Sequence, residues 1–339
     1  MTLPATMTAL VLREDGYATN RDTGMPRDLS PYVELADIPL PEVGPGQALI
    51  KVARAAVNPS DLLYVAGLYG QPRAKGGPAG FEGVGEVVAG DTPLIGQRVS
   101  FFGSGSGTWA EYALTEASMM IPLRPDLRDE DAAGLIVNPV TAMAMFDIVR
   151  GDGADSFVFT AGGSQLGKFL IGLGKDNGIA PIAVVRRAEQ ADALKALGAA
   201  EVLVSTAPDF TAQVAAAMKA HGPRILLDAV ADQISADIFF AMPPGACWVP
   251  YGRLATTPPA LTEMGQFIFM GKRIEGFWLS SWMRSTPVEK QGAVVSEVQA
   301  RFASGAWRTD ISDTLPLDRA LARFPDALGV KDAKLLIAP

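Results

Sequence analysis

Cysteine and histidine are almost missing from this chain of 339 residues, which contains one of each, Cys247 and His221. One cysteine closes no intrachain disulfide, and with one histidine the soft ligands are too few for a Cys/His zinc site. Catalytic schemes that turn on a histidine base are improbable, which leaves chemistry to hydroxyls, carboxylates, amines or a bound cofactor. Blocks of positive charge are absent too. Lys and Arg number 29 against 37 Asp and Glu, a formal net charge of −8, so neither nucleic acid nor an anionic membrane is expected as a partner. There is no uninterrupted apolar run of about 18 residues. The N-terminus lacks the basic start and apolar core of a signal peptide. These absences predict a cytoplasmic protein. His221, in Lys219-Ala220-His221-Gly222-Pro223, reads as a solvated loop residue. Cys247, in Ala246-Cys247-Trp248-Val249, reads as a buried strand residue.

What is present is enough chain for two domains, 48% apolar and 19% charged, as in soluble globular proteins. Residues 156–187 organise it. Phe157-Val158-Phe159-Thr160 is short and apolar enough for a buried parallel strand. Gly162-Gly163-Ser164-Gln165-Leu166-Gly167 reads as a tight turn, residues 166–175 repeat apolar positions at helical spacing, and Ile182-Ala183-Val184-Val185 reads as a second strand. In such a β-turn-α-β unit the turn's N–H groups and the helix N-terminus converge on one point and suit a pyrophosphate. The first glycine permits the sharp turn, and the last lets the helix sit close on the strand. Ser164 replaces the middle glycine of the usual pattern, and a connection without any ligand would show the same order of elements.

The end of the second strand selects the dinucleotide. An NAD site places an acidic residue there, on the order of 20 residues past the turn, to hold ribose hydroxyls. Counting from Gly162, 186 − 162 = 24, and the residues found are Arg186 and Arg187. A guanidinium cannot accept from a hydroxyl, but it pairs well with a 2′-phosphate. NADP(H) is therefore expected, the alternative being two solvated surface arginines.

Before this unit the chain is β-rich. Residues 8–13 and 48–57 read as strands joined by a Pro/Gly-rich connection over 37–46. Asn58-Pro59-Ser60-Asp61 supplies capping oxygens for a short helix over 62–66. Residues 78–88 and 96–114 continue as glycine-punctuated strands. Two helices, 131–137 and 141–149, are expected on either side of Asn138-Pro139. After the turn come helix 188–197, strand 201–204, helix 209–220, strand 224–228, helix 233–241, strand 246–250 and strand 273–278. This alternation predicts a parallel sheet covered on both faces. Helix 288–303, a short strand, a helix near 318–324 and strand 333–337 end the chain. The expected fold is α/β, a Rossmann-type doubly wound parallel sheet over 129–271 beside a β-rich catalytic domain over 1–128 and 272–339.

This order of elements resembles the medium-chain dehydrogenase/reductase superfamily over nearly the whole chain, with a GroES-like first domain. Asn58-Pro59-Ser60-Asp61 stands where its zinc enzymes carry a ligand cysteine. Phe81 stands where they carry a ligand histidine, and no four-cysteine lobe interrupts residues 88–122. The local motifs are similar to the zinc-independent branch of quinone oxidoreductases and mitochondrial-type trans-2-enoyl thioester reductases. Asn58-Pro59-Ser60-Asp61 with Gly67-Leu68-Tyr69-Gly70 looks like the segment whose tyrosine is the proton donor, which implies Tyr69, with Asn58 beside it in the catalytic set. Asn138-Pro139-Val140-Thr141-Ala142 resembles the motif by the cofactor, which implies Asn138 and Thr141. Tyr251-Gly252 and Gly276-Phe277-Trp278-Leu279 resemble loops next to the nicotinamide, and Lys334 falls where a cofactor-contacting lysine lies. With Gly162, Gly163, Ser164, Gln165, Leu166, Gly167, Arg186 and Arg187, these residues form the implied NADP(H) site. Gln165 stands where many members carry glycine. The resemblance also implies a homodimer.

A nicotinamide delivers hydride to an electron-poor carbon. Without a zinc Lewis acid, a conjugated acceptor is the easier substrate, because charge spreads onto its carbonyl as an enolate. A phenol of ordinary pKa, about 10, can protonate the adjacent carbon. The expected activity is reduction of an enoyl thioester or enone, with Tyr69 as the acid. The expected partner is a small molecule with a conjugated carbonyl or quinone. The alternatives are a quinone reductase, or an NADPH-binding sensor or partner-binding module with little turnover. Arg73, Lys75, Arg273 and Arg284 are candidates for holding the phosphates of a CoA substrate.

Overall fold

Apolar runs interrupted by turns open the chain as strands, as a β-rich first portion should. The computed structural model describes residues 2–20, 23–330 and 332–339. They form two compact units, Met1–Asn138 with Val295–Pro339, and Pro139–Val294. The segments 129–138 and 272–294 thus lie on the other side of each boundary from the expected division.

In the first unit β1 (Thr6–Leu12) pairs antiparallel with β2 (Val33–Pro39) over their whole length. The sequence reading took the second half of β2 into a connection, because Pro39 and Pro41 follow so closely; the alternation of β2 is that of an edge strand with one face buried. Next come β3 (Gln47–Val57), α1 (Pro59–Val65), β4 (Glu82–Gly90), β5 (Arg98–Phe102), β6 (Tyr112–Glu116), β7 (Met120–Pro122) and the single turn α2 (Asp129–Ala132). β3 is the hub, pairing with both β4 and β6.

The helix α3 (Val137–Asp152) runs unbroken through Asn138-Pro139, and the break between the two expected helices falls instead at 133–136, after α2. Pro139 falls in the first turn, whose N–H groups have no partner inside a helix, so its missing donor costs nothing there. Beyond it lie β8 (Ser156–Phe159), α4 (Gln165–Asn177), β9 (Ala180–Val185), α5 (Ala191–Leu197), β10 (Glu201–Val204), α6 (Phe210–His221), β11 (Ile225–Asp228), α7 (Gln233–Ala241) and β12 (Cys247–Pro250). Then follow α8 (Met264–Phe269), β13 (Arg273–Ile274), α9 (Leu279–Ser285) and α10 (Val288–Ala303). The sheet order is β10-β9-β8-β11-β12-β13, all parallel. Strand order therefore reverses between β8 and β11, and ligands of such sheets bind at the carboxyl ends of the strands around that reversal. β13 is only two residues long where a strand over 273–278 was expected. His221 is the last residue of α6, its Nε2 3.6 Å from Glu201, rather than a loop residue. Cys247 is fully buried in β12, as expected.

The tail returns to the first unit as β14 (Ile311–Pro316), α11 (Ala320–Ala327) and β15 (Lys334–Ala338). β15 is parallel to β14 and antiparallel to the end of β3, giving the order β14-β15-β3-β4-β5-β7. Leu10, Ile50, Phe101, Trp109, Phe324 and Ile337 pack this unit's main core. Val158, Ile182, Leu226, Phe239 and Trp248 pack that of the second unit. Each large side chain so buried contributes about 1.5–3 kcal/mol. Among the described residues no helix is long and apolar enough to cross a membrane.

Candidate active site

The turn after β8 is built as an anion cradle. Ala161, not a glycine, takes the left-handed conformation, at φ 52°. Gly162 is needed for closeness instead: a Cβ there would lie 2.9 Å from that of Ala183 on β9. A Cβ on Gly167 would lie 2.5 Å from the Gly162 carbonyl oxygen, so this glycine lets α4 sit on its own turn. Ser164 is the N-cap of α4, its Oγ accepting from the Gly167 N–H at 3.1 Å, which explains serine where a middle glycine is usual. Gly163, Gln165 and Leu166 complete the turn and are buried. The α4 N-terminus carries the positive end of a helix dipole and favours a phosphate.

Arg186 and Arg187 leave the end of β9 exposed. Arg187 Nε lies 3.7 Å from Glu189. The Arg186 carbonyl accepts from Thr206 Oγ1 at 2.8 Å, which pins the backbone there while the guanidinium stays in solvent.

At the neighbouring strand ends, Asp228 closes β11 and is fully buried. Its carboxylate accepts from Thr160 Oγ1 at 2.5 Å, Trp248 Nε1 at 2.8 Å, Ser235 Oγ at 3.0 Å, and the Val230 and Ala231 N–H groups at 2.9 and 3.0 Å. Tyr251 and Gly252 follow β12, their N–H groups 2.8 and 3.3 Å from the Asp228 carbonyl oxygen. Burial pushes the Tyr251 phenol above its ordinary pKa, and the Asp228 charge adds to it, so it remains protonated. The Phe277 N–H donates to the Pro250 carbonyl at 2.9 Å. Trp278 is the N-cap of α9, with the Arg284 guanidinium 5.1 Å from its ring centroid. Phe277, Trp278 and Leu279 are half-buried. The second unit thus gathers the glycine turn, the arginines, the 251–252 loop and the 277–279 segment along its strand ends. On α3, half-buried Asn138 and buried Thr141 stand three residues apart, on one helix face.

In the first unit the buried charges of Asp61, Glu82 and Lys334 form one network around Asn58. Asn58 caps α1, its own N–H donating to Asp61 Oδ2 at 2.6 Å. Its Nδ2 donates to Glu82 Oε1 at 2.9 Å, and its Oδ1 accepts from Lys334 Nζ. Glu82 Oε2 accepts from the Ile136 and Val137 N–H groups at 3.0 and 2.8 Å, which anchors the start of α3. Burial pushes the Asp61 carboxyl up to about 7 against the Asn58 N–H bond, with Glu82 adding to the rise and Lys334 opposing it. Burial raises Glu82 and lowers Lys334, while the attraction between them works the other way on both. Glu82 escaped the sequence reading, because one acidic residue in a glycine-rich strand looks like a solvent-facing position. The only hint was its adjacency to Phe81.

Tyr69 sits in the loop after α1 with its ring 5.3 Å from that of Phe81. Phe81 also meets Tyr64 at 5.0 Å and Phe102 at 5.7 Å. Arg73, offered as a phosphate ligand, is 5% exposed. Its guanidinium donates to Gly16 and Val65 carbonyls at 3.0 and 3.3 Å and meets Glu14 at 2.9 Å. That assignment is corrected, because the charge is spent on fixing the loop. Arg273 is tied to Glu275 at 2.8 Å and Arg284 lies over Trp278, while Lys75 is exposed.

Two family profiles match the chain, one described as alcohol dehydrogenase GroES-like domain over residues 44–125 and one as zinc-binding dehydrogenase over 166–293. The mitochondrial enoyl-[acyl-carrier-protein] reductase of Bos taurus is 30% identical over 266 residues, 76% of this chain and 71% of that protein. A solved structure from Mesorhizobium loti, described as a candidate NADPH:quinone reductase, is 49% identical over the whole of both chains, with a TM-score of 0.96. The complex of Etr1p with NADP and crotonyl-CoA has a TM-score of 0.80 at 21% identity, over 98% of this chain and 100% of the other, a likeness of fold. Together with the parallel sheet and its strand-end site, these matches define a two-unit oxidoreductase. The chain belongs to the medium-chain dehydrogenase/reductase superfamily, in its quinone oxidoreductase and enoyl reductase branch.

Proposed function

We propose that this protein is an NADPH-dependent reductase of an activated carbon–carbon double bond, in a 2-enoyl thioester or an enone, with Tyr69 as proton donor. The carrying observation is the seat of Tyr69, whose ring rests against Phe81 in a cluster of four aromatic side chains. Arg73 ties the end of α1 to the N-terminal segment in the same region. A phenol held this way can reach a reacting carbon without first being ordered.

The cofactor is NADP(H), and when bound it supplies the hydride. The turn over 162–167 and the α4 N-terminus would hold its pyrophosphate, and the fit rests on Gly162 and Gly167, where a side chain would push the turn off β9 or α4 off the turn and so deform the cradle. Arg186 and Arg187 would hold the 2′-phosphate. Tyr251, Gly252, Phe277, Trp278 and Leu279 would line the nicotinamide end, and Asn138 and Thr141, on one face of α3, are further proposed cofactor ligands. Lys334 already donates to Asn58, so its proposed part is to fix that residue. Among the described residues no group of three or more His, Cys, Asp and Glu side chains could hold a metal. Phe81 offers no donor at the ligand position, so the proposal uses no Lewis acid.

A second reading, an NADPH:quinone reductase, is favoured by the 49% identical relative described in those terms. A homodimer is part of the proposal. The outermost strand β13 is short, and α8 just before it exposes Ile268 and Phe269 at 72% and 85%. NADPH oxidation measured against a crotonyl thioester, an enone and a quinone tests the function. Turnover of the first two, lost on Tyr69→Phe, is expected; turnover of the quinone alone would give the second reading. Binding of NADPH without consumption across the panel would point to a sensor.

A further inference from the structure

We propose that Asp228 is a positioning residue for the cofactor, the single group that fixes the relative placement of the loops leaving β8, β11 and β12. The inference rests on the NADP(H) reading of these strand ends. No sequence motif marks Asp228; its place in the structure does. Five donors converge on one carboxylate with no exposed surface, and they come from the residue after β8, the turn after β11, the first turn of α7 and β12.

Each bond reaches a segment that bears on the site. Thr160 directly follows β8 and is itself followed by Ala161, held at φ 52°, and then by the glycine turn. Its hydroxyl donates to Asp228 and accepts from the Ala229 N–H at 2.9 Å, so one side chain welds the β8 turn to the β11 turn. Ala231 is a second alanine in the left-handed region, at φ 58°, and its N–H is held by Asp228 Oδ2. A residue other than glycine keeps such a conformation only where its surroundings enforce it. Trp248 reaches the same oxygen from β12, and the Asp228 carbonyl receives the N–H groups of Tyr251 and Gly252. A carboxylate is suited to this place because it accepts at both oxygens and donates nothing, whereas an amide would turn an N–H toward one of these donors. Parallel strands fix their own registers, but not those of the loops beyond their ends. Asp228 supplies that missing constraint at the strand reversal, where the cofactor must meet several loops at once.

The test uses the full-length protein with Thr160→Val, Thr160→Ser and Asp228→Asn. NADPH and NADH dissociation constants are measured by fluorescence titration, and thermal unfolding is recorded alongside. Thr160→Val and Asp228→Asn are expected to weaken both dinucleotides about tenfold or more, leaving the NADPH-to-NADH ratio unchanged, because the 2′-phosphate ligands are untouched. Thr160→Ser, which keeps the hydroxyl, is expected to bind as the wild type does. A purely structural role would lower the unfolding temperature but leave the dissociation constants of the folded protein alone, and that result overturns the proposal. Should Asp228→Asn fail to fold, the Thr160 pair decides by the same criterion. Wild-type protein that binds neither dinucleotide would sink the cofactor reading together with this proposal, whereas unaltered binding by the variants sinks this one alone.

Discussion

Lys334 and Asn58 lie 276 residues apart in the chain, yet the lysine ammonium donates to the asparagine carboxamide oxygen inside the first unit. The other end of that carboxamide donates to Glu82, so Asn58 is oriented by a cation on one side and an anion on the other. Asp61 is the second carboxylate of the group, fully buried, and one of its oxygens has no hydrogen-bond partner.

Asp61 should therefore make stability depend on pH. Its folded pKa, about 7, lies above its ordinary value of 3.8. A group raised in this direction stabilises the fold fully below the unfolded value, and the contribution is lost as pH rises through the folded one. Asp61→Asn removes the dependence, so its unfolding free energy should gain on the wild type between about pH 4 and pH 7. The gain should be at most about 4 kcal/mol and flat above that range. Urea denaturation of both proteins across that range measures it, and parallel curves would exclude Asp61 as the titrating group.

Tyr69→Phe should lower kcat for an enoyl substrate on the order of 10²–10⁴-fold, the usual worth of a positioned acid. NADPH affinity should hold, and quinone turnover, which needs no carbon acid, should change little. Steady-state kinetics on both substrates check this. Equal losses on the two would mean that the ring serves packing.

Arg186→Asp should weaken NADPH by roughly ten- to a hundredfold, since a hydrogen bond to a charged group is worth about 1.5–3 kcal/mol. NADH should gain relative to NADPH, because the new carboxylate can accept from ribose hydroxyls. Competitive titration gives the ratio. An unchanged ratio would assign the phosphate to another group.

Gly167→Ala puts a methyl where a Cβ meets the Gly162 carbonyl oxygen at 2.5 Å. Because the obstacle is backbone, α4 must shift, at a cost of about 1–3 kcal/mol. Cofactor affinity should fall with stability. Calorimetry with and without NADPH separates the two, and a wild-type response would show that the turn relaxes freely.

The order of strands and helices was legible because burial imposes period 2 on one and period 3.6 on the other. The pair Arg186 and Arg187 could be read because a strand end is local in sequence. The single helix through Pro139 was harder to see, since proline breaks helices everywhere except in the first turn, and the pattern does not say where that turn begins. Least visible were Glu82 and Asp228. Each takes its meaning from donors brought in by other segments, such as Asn58 to Glu82 or Trp248 to Asp228. Arg73 looked like a surface cation, because nothing in its neighbourhood announced the carbonyls of Gly16 and Val65.

The pairing of β15 with β3 has a consequence for biosynthesis. β15 leaves the ribosome after the second unit, which is continuous in sequence, yet it completes the first unit, whose strands β1–β7 are synthesised before either. Until Lys334 emerges, Asn58 and Glu82 lack the cation that balances them, so the nascent chain should acquire its middle before its beginning. Limited proteolysis of a chain stopped at residue 330 should then spare residues 139–294 and digest 1–138. Protection of both would show that the N-terminal unit closes without its final strand.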